Sequence, residues 1–359
     1  MVRRGPPVPA PPPQGTPLRT VTLREVAEEC DLSIATVSAV ANGAAWVPED
    51  TRRRVQQAID QLGYRPNQLA RGLKTRRGHA VGVIVSDLTN PFFTEIIRSL
   101  SHALRESGRT LLLSDSDHRF EIGDLNLRML SEGHVAGLVL IGDSIRVDTL
   151  CAYVRRPNSV PVIAIERDYE IDGVSCLLVD SELGAYGVTR HLIEQGYRRI
   201  GIISGPHEGP GSTTYGRAQR YDGYARALSE AGYKVNARLV AEGNFRYTGG
   251  REAMRRLLAG RQRPDAVFAC NDMMALGAME AVRAAGLRVP EDIALAGWDD
   301  IPITALTTPA LTTVAMPKRQ LGSAAANLLN QQLRRGGTHL PVRQMFDAQL
   351  IVRQSSGAA

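Results

Sequence analysis

Short apolar runs alternate with amphipathic segments throughout the chain after residue 78. Apolar runs of this kind are typical of parallel strands that are buried on both faces. They predict strands at residues 81–85, 110–113, 138–141, 162–165, 177–179, 200–203, 239–241, 266–269 and 293–296, and a later one around 345–352. The amphipathic segments have helical spacing and predict helices at 92–107, 125–132, 183–194, 215–230, 250–258 and 273–284.

This alternation covers roughly 280 residues, which is more than one hydrophobic core usually holds. Alternating strands and helices predict α/β layers with parallel sheets. We therefore expect two doubly wound subdomains that face each other. Because open parallel sheets bind ligands beyond the carboxyl ends of their strands, we expect a ligand cleft between the two subdomains.

A different pattern precedes these repeats. Thr22 and Glu25 have the spacing of a capping box, which predicts the start of a short helix. Ser33 is a suitable cap for a second helix over 34–42, and a third is expected over 49–62. Two short helices around a tight turn are typical of a helix-turn-helix domain, whose second helix enters the major groove of DNA.

The charge distribution agrees with a nucleic-acid partner. Of the net charge of +6, the first 78 residues contribute +5. A local basic excess is the electrostatic footprint of a nucleic-acid-binding module. The arginine run 52–54 would by itself indicate a solvated helix face, but beside a helix-turn-helix it favours phosphate contacts. The residues expected to contact DNA from this domain are Thr22, Ser33, Ile34, Ala35, Thr36, Ser38, Ala39, Asn42 and Tyr64.

Four motifs in this region resemble those of the LacI/GalR (lactose repressor) family of bacterial transcription regulators. They are TLREVA at 22–27, SIATVS at 33–38, VANG at 40–43 and LGYRPNQLARGL at 62–73. The resemblance extends from about residue 20 to the C-terminus. It implies an all-α helix-turn-helix domain with a hinge helix, followed by a periplasmic-binding-protein-like core of two subdomains. It also implies a homodimer on a pseudo-palindromic operator, controlled by a small effector.

The domain organisation expected from these patterns has four parts. They are a disordered proline-rich leader (1–19), the helix-turn-helix domain (20–65), a hinge (66–78) and an effector-binding and dimerisation domain (79–359). By resemblance, the DNA-proximal subdomain comprises about 79–179 and 316–344, and the distal subdomain comprises 180–315 and 345–359. In the hinge, the DNA-contacting residues are expected to be Asn67, Ala70 and Leu73, with Leu73 wedged into the minor groove. The alternative is a plain linker whose Leu73 packs on the core.

Polar and aromatic side chains follow several predicted strands. Carboxylates, amides and an arginine suit a polyhydroxylated ligand, because each can bind adjacent hydroxyls, and phenylalanines offer apolar faces. The expected effector-binding residues are Asp87, Phe93, Glu166, Arg220, Phe245, Asn271 and Asp299. By resemblance, Arg220, Asp299, Asn271 and Glu166 occupy effector-contacting positions of the family. Any one of these residues alone could equally be a structural ion pair.

Two departures from the family pattern bear on DNA recognition. Ala39 stands where an arginine is usual, so the bidentate guanine contact of such an arginine is missing. Readout is therefore expected to depend on thymine methyls and hydroxyl contacts. Ala41 stands where leucine is usual, which predicts a thinner core for the small domain.

Other classes of protein fit the sequence less well. An enzyme of this fold would be expected to show a G-x-G-x-x-G, a P-loop lysine or a G-x-S-x-G motif, and the chain has none of these. A transport-type binding protein would carry an export signal and no helix-turn-helix. The sequence thus predicts a cytoplasmic, nucleoid-associated regulator without catalytic activity, cofactor, metal or membrane partner. The effector is expected to be a sugar or sugar derivative; the alternative is a purine-type corepressor.

Overall fold

The computed structural model describes residues 21–41, 44, 46–64, 80–132, 135–142, 145–206, 217–334 and 340–357. The chain divides into two compact units, Met1–Thr75 and Arg76–Ala359. The expected leader and hinge, and with them Asn42, Asn67, Ala70 and Leu73, lie outside the described residues.

The described part of the first unit contains three short helices, α1 (Leu23–Glu29), α2 (Ile34–Ala41) and α3 (Glu49–Leu62). The predicted capping box is confirmed: the Thr22 amide donates to Glu25 Oε2 at 2.7 Å, and the Glu25 amide donates to Thr22 Oγ1 at 3.4 Å. Ser33 caps the second helix by accepting from the Thr36 amide at 3.1 Å. One fully buried valine from each helix forms the centre of the core: Val26, Val37 and Val55.

The second unit contains two parallel sheets. The first has the strand order β11-β5-β4-β3-β1-β2 and the second β7-β6-β8-β9, while β10 and β12 form a separate antiparallel pair. The strands are β1 (Ala80–Val85), β2 (Thr110–Asp115), β3 (Gly137–Ile141), β4 (Val162–Ile165), β5 (Val174–Val179), β6 (Ile200–Ser204), β7 (Val240–Glu242), β8 (Ala266–Ala269), β9 (Ala294–Ala296), β10 (Thr313–Ala315), β11 (Arg343–Phe346) and β12 (Gln349–Ile351).

Helices connect the parallel strands of both sheets. They are α4 (Pro91–Glu106), α5 (Phe120–Glu132), α6 (Val147–Val154), α7 (Ser181–Glu194), α8 (Arg217–Glu230), α9 (Tyr247–Ala259), α10 (Asp272–Ala284) and α11 (Lys318–Arg334). The predicted α/β class is confirmed, and the central strands β3, β4 and β5 are buried along their whole length. Local periodicity did not predict α6 or α11. No helix in the described ranges combines the length and apolarity needed to span a bilayer.

Strand β2 is the element whose environment was predicted wrongly. Its apolar run predicted a strand buried on both faces, but β2 lies at the edge of the six-stranded sheet. Leu112 and Leu113 are accordingly exposed. Parallel strands in the middle of a sheet are covered on both faces, whereas an edge strand is covered only if another element or chain packs there.

Neighbouring helices approach each other closely at glycines. An added Cβ at Gly322 of α11 would lie 2.4 Å from the Ile96 carbonyl oxygen of α4, and one at Gly250 of α9 would lie 2.1 Å from the Met274 oxygen of α10. At Gly223 of α8 the Cβ would lie 2.2 Å from the Glu182 oxygen of α7. Each of these three helix pairs therefore needs a glycine at the contact. A Cβ there would clash with backbone atoms, which cannot move aside as flexible side chains do.

We expect Gly223→Ala to destabilise the protein by about 1–3 kcal/mol through overpacking of α8 on α7. Gly187→Ala, in the interior of α7, is the matched control. Nothing lies within 4 Å of an added Cβ at Gly187, so alanine there should stabilise by up to about 1 kcal/mol through its higher helix propensity. Urea unfolding of the three proteins measures both effects. Equal unfolding midpoints for the two variants would contradict the close-approach argument.

Candidate effector cleft and DNA-contacting helix

Helix α2 presents its N-terminal end to solvent. Ser33, Ile34 and Ala35 are exposed, and Ile34 is 44% accessible although it is apolar. Thr36, Ser38 and Ala39 are partly buried. This arrangement leaves the end of the helix that would lead into a major groove free of intramolecular packing.

Two of the expected DNA contacts have structural roles in this unit. Tyr64 is buried in the three-helix core. Thr22 uses its hydroxyl in the capping box, donating to Glu25 Oε2 at 3.0 Å. Either residue can still contact DNA through its backbone or an exposed side-chain atom. Both contribute to the fold before any DNA is bound.

The arginine run of α3 is also tied to the protein. Arg52 donates to the Ala44 carbonyl at 2.9 Å, and Arg54 donates to the Cys30 carbonyl at 2.8 Å. Arg53 pairs with Asp50 on its own helix at 2.5 Å. Arg52 and Arg54 therefore also hold the segment after α2 and the end of α1 against α3, while the phosphate contacts of this run stay a prediction.

In the second unit, the expected effector-binding residues lie at the carboxyl ends of both sheets. Asp87 follows β1 and Glu166 follows β4 of the six-stranded sheet. Phe245, Asn271 and Asp299 follow β7, β8 and β9 of the four-stranded sheet. Phe93 and Arg220 lie in the first turns of α4 and α8. The edges that carry these residues face one cleft between the two sheets.

Arg220 lies at the centre of this cleft. Its NH1 donates to the Cys270 carbonyl at 2.9 Å. Its guanidinium lies 5.1 Å from the centroid of the Trp298 ring and 6.0 Å from that of Phe245. It also interacts electrostatically with Glu166 of one sheet and Asp299 of the other. A single cation thus links acids from both subdomains.

Asp299 is buried and Glu166 is partly buried, and both have perturbed pKa values. Burial raises the pKa of Glu166 to about 7, against the opposing attraction of Arg220 and a hydrogen bond with the Val179 backbone. Burial likewise raises the pKa of Asp299 to about 7, against the attraction of Arg220 and Lys318. Both residues have positive φ values, 63° for Glu166 and 111° for Asp299. Strained backbone and buried acids in a cleft are typical of a binding site.

The other expected residues make more local contacts. Asn271 caps α10 by accepting from the Met274 amide at 2.8 Å and donates to the Phe245 carbonyl at 2.8 Å. Asp87 accepts from the amide and the hydroxyl of Thr89 at 2.8 and 2.6 Å. Phe93 is buried and packs edge to face with Phe92 at 5.0 Å. These three residues shape the cleft walls.

The sequence did not indicate the contacts that close the cleft. Arg246 forms an ion pair with Asp117, and the His118 ring stacks on Phe245 with centroids 6.1 Å apart. Each contact joins the loop after β2 to the loop after β7. The only available signal was position, since both loops follow the carboxyl ends of strands. The paired residues are 127 and 129 positions apart in the chain, so the local sequence carries no pattern that reveals their contact.

Lys318 was missed as well. Its ammonium donates to the carbonyl oxygens of Asp299 and Asp300, the latter at 2.7 Å, and lies 3.8 Å from Glu95 Oε2. It thereby fixes the loop that carries Asp299. Within the described ranges, no group of three or more His, Cys, Asp or Glu side chains could hold a metal ion.

Comparison with known proteins gives two matches to domain families. Residues 22–67 match the family of bacterial regulatory proteins of the lacI type. Residues 189–356 match the periplasmic binding protein-like domain. The first matched range contains α1 to α3, and the second contains all four strands of the four-stranded sheet.

Full-length relatives are regulators. The chain is 33% identical to the HTH-type transcriptional repressor PurR of Photobacterium profundum, over 93% of this chain and 98% of the relative. It is also 33% identical to the HTH-type transcriptional repressor CytR of Escherichia coli K12, over 94% and 96%. These alignments extend over both units of the chain.

Two solved structures are similar along nearly the whole chain. A complex of the transcriptional regulator CelR with cellobiose shares 34% identity, a TM-score of 0.69 and coverage of 93% of this chain and 99% of that one. The lac repressor dimer bound to operator and the anti-inducer ONPF shares 27% identity, a TM-score of 0.77 and coverage of 95% and 100%. The sequence motifs, the fold and the full-length relatives agree, and the chain belongs to the LacI family of bacterial transcriptional regulators.

Proposed function

We propose that this protein is a transcriptional repressor that binds a pseudo-palindromic operator as a homodimer and responds to a small polar effector in its cleft. The effector is a sugar or sugar derivative. The observation that supports this most directly is the charged group of Glu166, Arg220 and Asp299, which draws on both sheets. Because its partner is chromosomal DNA, we place the protein in the cytoplasm, at the nucleoid.

A cleft built from two subdomains can couple ligand binding to DNA binding. A ligand shifts a conformational equilibrium only by the difference in its affinity for the two conformations. Glu166 and Arg220 come from different sheets, so a ligand that contacts both favours closure of the cleft. We propose that closure reorients the DNA-proximal subdomain (79–179 and 316–344) and, through the hinge at 66–78 with Leu73, the two helix-turn-helix domains of the dimer.

The proposed dimer has a candidate surface in the DNA-proximal subdomain. The edge strand β2 exposes Leu112 and Leu113, and the following helix α5 exposes Leu125 and Met129. Apolar side chains on an unpaired sheet edge are an aggregation hazard unless another chain covers them. A second copy of the chain, related by a twofold axis, would bury this surface and match the symmetry of the operator.

The alternative ligand, a purine corepressor, has less support. The similarity to PurR extends over the whole chain and is not specific to the cleft. The aromatic rings of this cleft already pack against other side chains. Phe245 stacks with His118, and Phe93 packs against Phe92. A cleft rich in carboxylates and hydrogen-bonding groups suits hydroxyls better than a flat apolar ring.

The wild-type protein is first used to select a DNA duplex from a random pool. We expect Ile34→Ala to weaken binding to this duplex by roughly three- to tenfold, because Ile34 is exposed and can contact a thymine methyl. Its stability should not change. Val37→Ala on the same helix is the control: Val37 is fully buried, so this change should lower the unfolding midpoint.

We expect the affinity of the wild-type protein for DNA to fall steeply as the salt concentration rises, which fluorescence anisotropy measures. Salt-independent binding would contradict the proposed DNA interface.

We expect Arg220→Ala to abolish the effect of the effector on operator binding. The measurement is a gel shift with and without each compound of a panel of sugars and nucleobases. Arg226→Ala is the matched control, because Arg226 lies on the same helix but pairs at the surface with Glu182 at 2.6 Å. An Arg220→Ala protein that responds at wild-type concentrations would show that the effector binds elsewhere.

We expect the ligand-free protein to lose stability as pH rises from about 4 to about 7. The pKa values of Glu166 and Asp299 are raised by burial to about 7, whereas unfolded carboxyls titrate near 4. In this window the folded state binds more protons, so deprotonation favours unfolding. The lowered pKa of Asp87, about 2, acts only below this window. Glu166→Gln should make the decline shallower in urea unfolding at pH 5 and pH 8; an unchanged difference would contradict the buried ionisation.

A further inference from the structure

His118 is held in a strained position at the mouth of the cleft. It has φ of 56°, and the preceding Asp117 has φ of 51°, although neither residue is a glycine. The loop is fixed by local bonds: the His118 amide donates to the Ser86 carbonyl at 2.8 Å, and the Asp117 amide donates to Asp115 Oδ1 at 2.9 Å. Two successive left-handed residues cost free energy, and such strain clusters at ligand-binding positions.

The imidazole ring lies between the two subdomains. One face stacks on Phe245 of the opposite lip, at 6.1 Å and an interplanar angle of 27°. Its Nε2 lies 3.7 Å from Asp87 Oδ2. Its Nδ1 is buried and makes no hydrogen bond with any described residue. A polar atom is therefore held in the cleft without a partner among the described residues.

The neighbours of the ring determine what Nδ1 can do. Asp87 remains ionised: burial would raise its pKa, but the nearby His118 ring and hydrogen bonds from Thr89 lower the pKa to about 2. An ionised carboxylate near Nε2 favours a proton on that nitrogen. In the neutral ring Nδ1 is then an acceptor. A buried acceptor without a donor costs stability, so it favours a ligand that supplies the donor.

A second buried acceptor in the cleft also lacks a donor among the described residues. Glu166 Oε1 is buried and has no hydrogen-bond partner among the residues that the structure describes. The nearby charges are the acids Asp87, Glu166 and Asp299 and the cations Arg220 and Lys318, and the Lys318 ammonium already donates to two carbonyls. A ligand with an anionic group would bring only further acceptors to these two atoms, whereas hydroxyl or amino donors would satisfy both.

We propose that His118 is a further effector-binding residue, with Nδ1 accepting a hydrogen bond from the ligand, and that the effector is an uncharged or cationic donor-rich molecule. A phosphorylated or carboxylated ligand is disfavoured. This inference rests on the proposed function, because it assumes that the cleft binds the effector. His118 is then both a wall of the closed cleft, through Phe245, and a polar contact to the bound molecule.

The ligand class can be tested without knowing the ligand. A bacterial metabolite extract is separated on an anion exchanger into a flow-through fraction and a retained anionic fraction, and each is added to the full-length protein in a thermal shift assay. We expect only the flow-through fraction to raise the unfolding temperature, because it contains the uncharged and cationic compounds. Stabilisation by the retained fraction alone would overturn the proposed ligand class.

Three substitutions separate hydrogen bonding from packing. His118→Phe keeps a ring that can stack on Phe245 but removes both nitrogens; His118→Asn keeps an acceptor close to the position of Nδ1; His102→Phe, at an exposed site on α4, is the control. With the active compound purified from the fraction, we expect His118→Phe to weaken its affinity about tenfold, the effect of one lost hydrogen bond to a buried acceptor. His118→Asn should retain more affinity, and His102→Phe should retain all of it.

The outcomes are distinct. Full affinity in His118→Phe would show that the ring only packs, and would overturn the role of His118. Unfolding of the ligand-free variants by urea shows whether any loss of affinity reflects a damaged fold. If neither fraction stabilises a protein that still binds its selected operator, the proposed effector response itself fails, and the role of His118 fails with it. If operator binding is also absent, the proposed repressor function fails independently.

Discussion

Arg220, a partly buried cation, connects the two sheets of the second unit. It enters the cleft from the four-stranded sheet, interacts with Asp299 on the same side and meets Glu166 from the other sheet. Buried acids are costly unless a partner offsets the loss of hydration, and removal of one partner leaves an uncompensated charge. At this point the two sheets therefore meet through balanced charges. That property suits a regulator, whose two conformations must differ by only a few kcal/mol.

The rest of the unit places these side chains with little freedom. Three helix pairs approach at glycines where a Cβ would lie 2.1 to 2.4 Å from a backbone oxygen. The strands β3, β4 and β5 are buried throughout. Rigid sheets of this kind move as bodies, so a small change at the cleft is transmitted to the far edge of each subdomain. The loops after β2 and β7 hold left-handed residues at this junction, Asp117, His118 and Phe245, where the sheets meet.

The DNA-binding unit is stabilised in a different way. Its core is small, with one fully buried valine from each helix, and two arginines of α3 donate to backbone carbonyls of the other segments. Side-chain hydrogen bonds thus substitute for packing that Ala41 and its neighbours do not provide. The exposed end of α2 is apolar and hydroxylated, which favours recognition of base shape and methyl groups over guanine contacts. In this unit, arginine contributes to stability as well as to charge.

The sequence alone determined the class of fold, the helix-turn-helix and most strand positions, because these follow from local periodicity and capping. The capping box of Thr22 and Glu25 was predicted from four consecutive residues. The sequence also indicated which strand ends carry polar residues. It did not determine that β2 is an exposed edge, that Arg52 and Arg54 brace the small domain, or that His118 meets Phe245. Each of these depends on which segments pack together in three dimensions, and local periodicity carries no information about that pairing. Arg54 reaches a carbonyl 24 residues away, and His118 meets Phe245 across 127 residues. The tertiary structure alone decided these contacts, since burial and partners follow from which segments become neighbours.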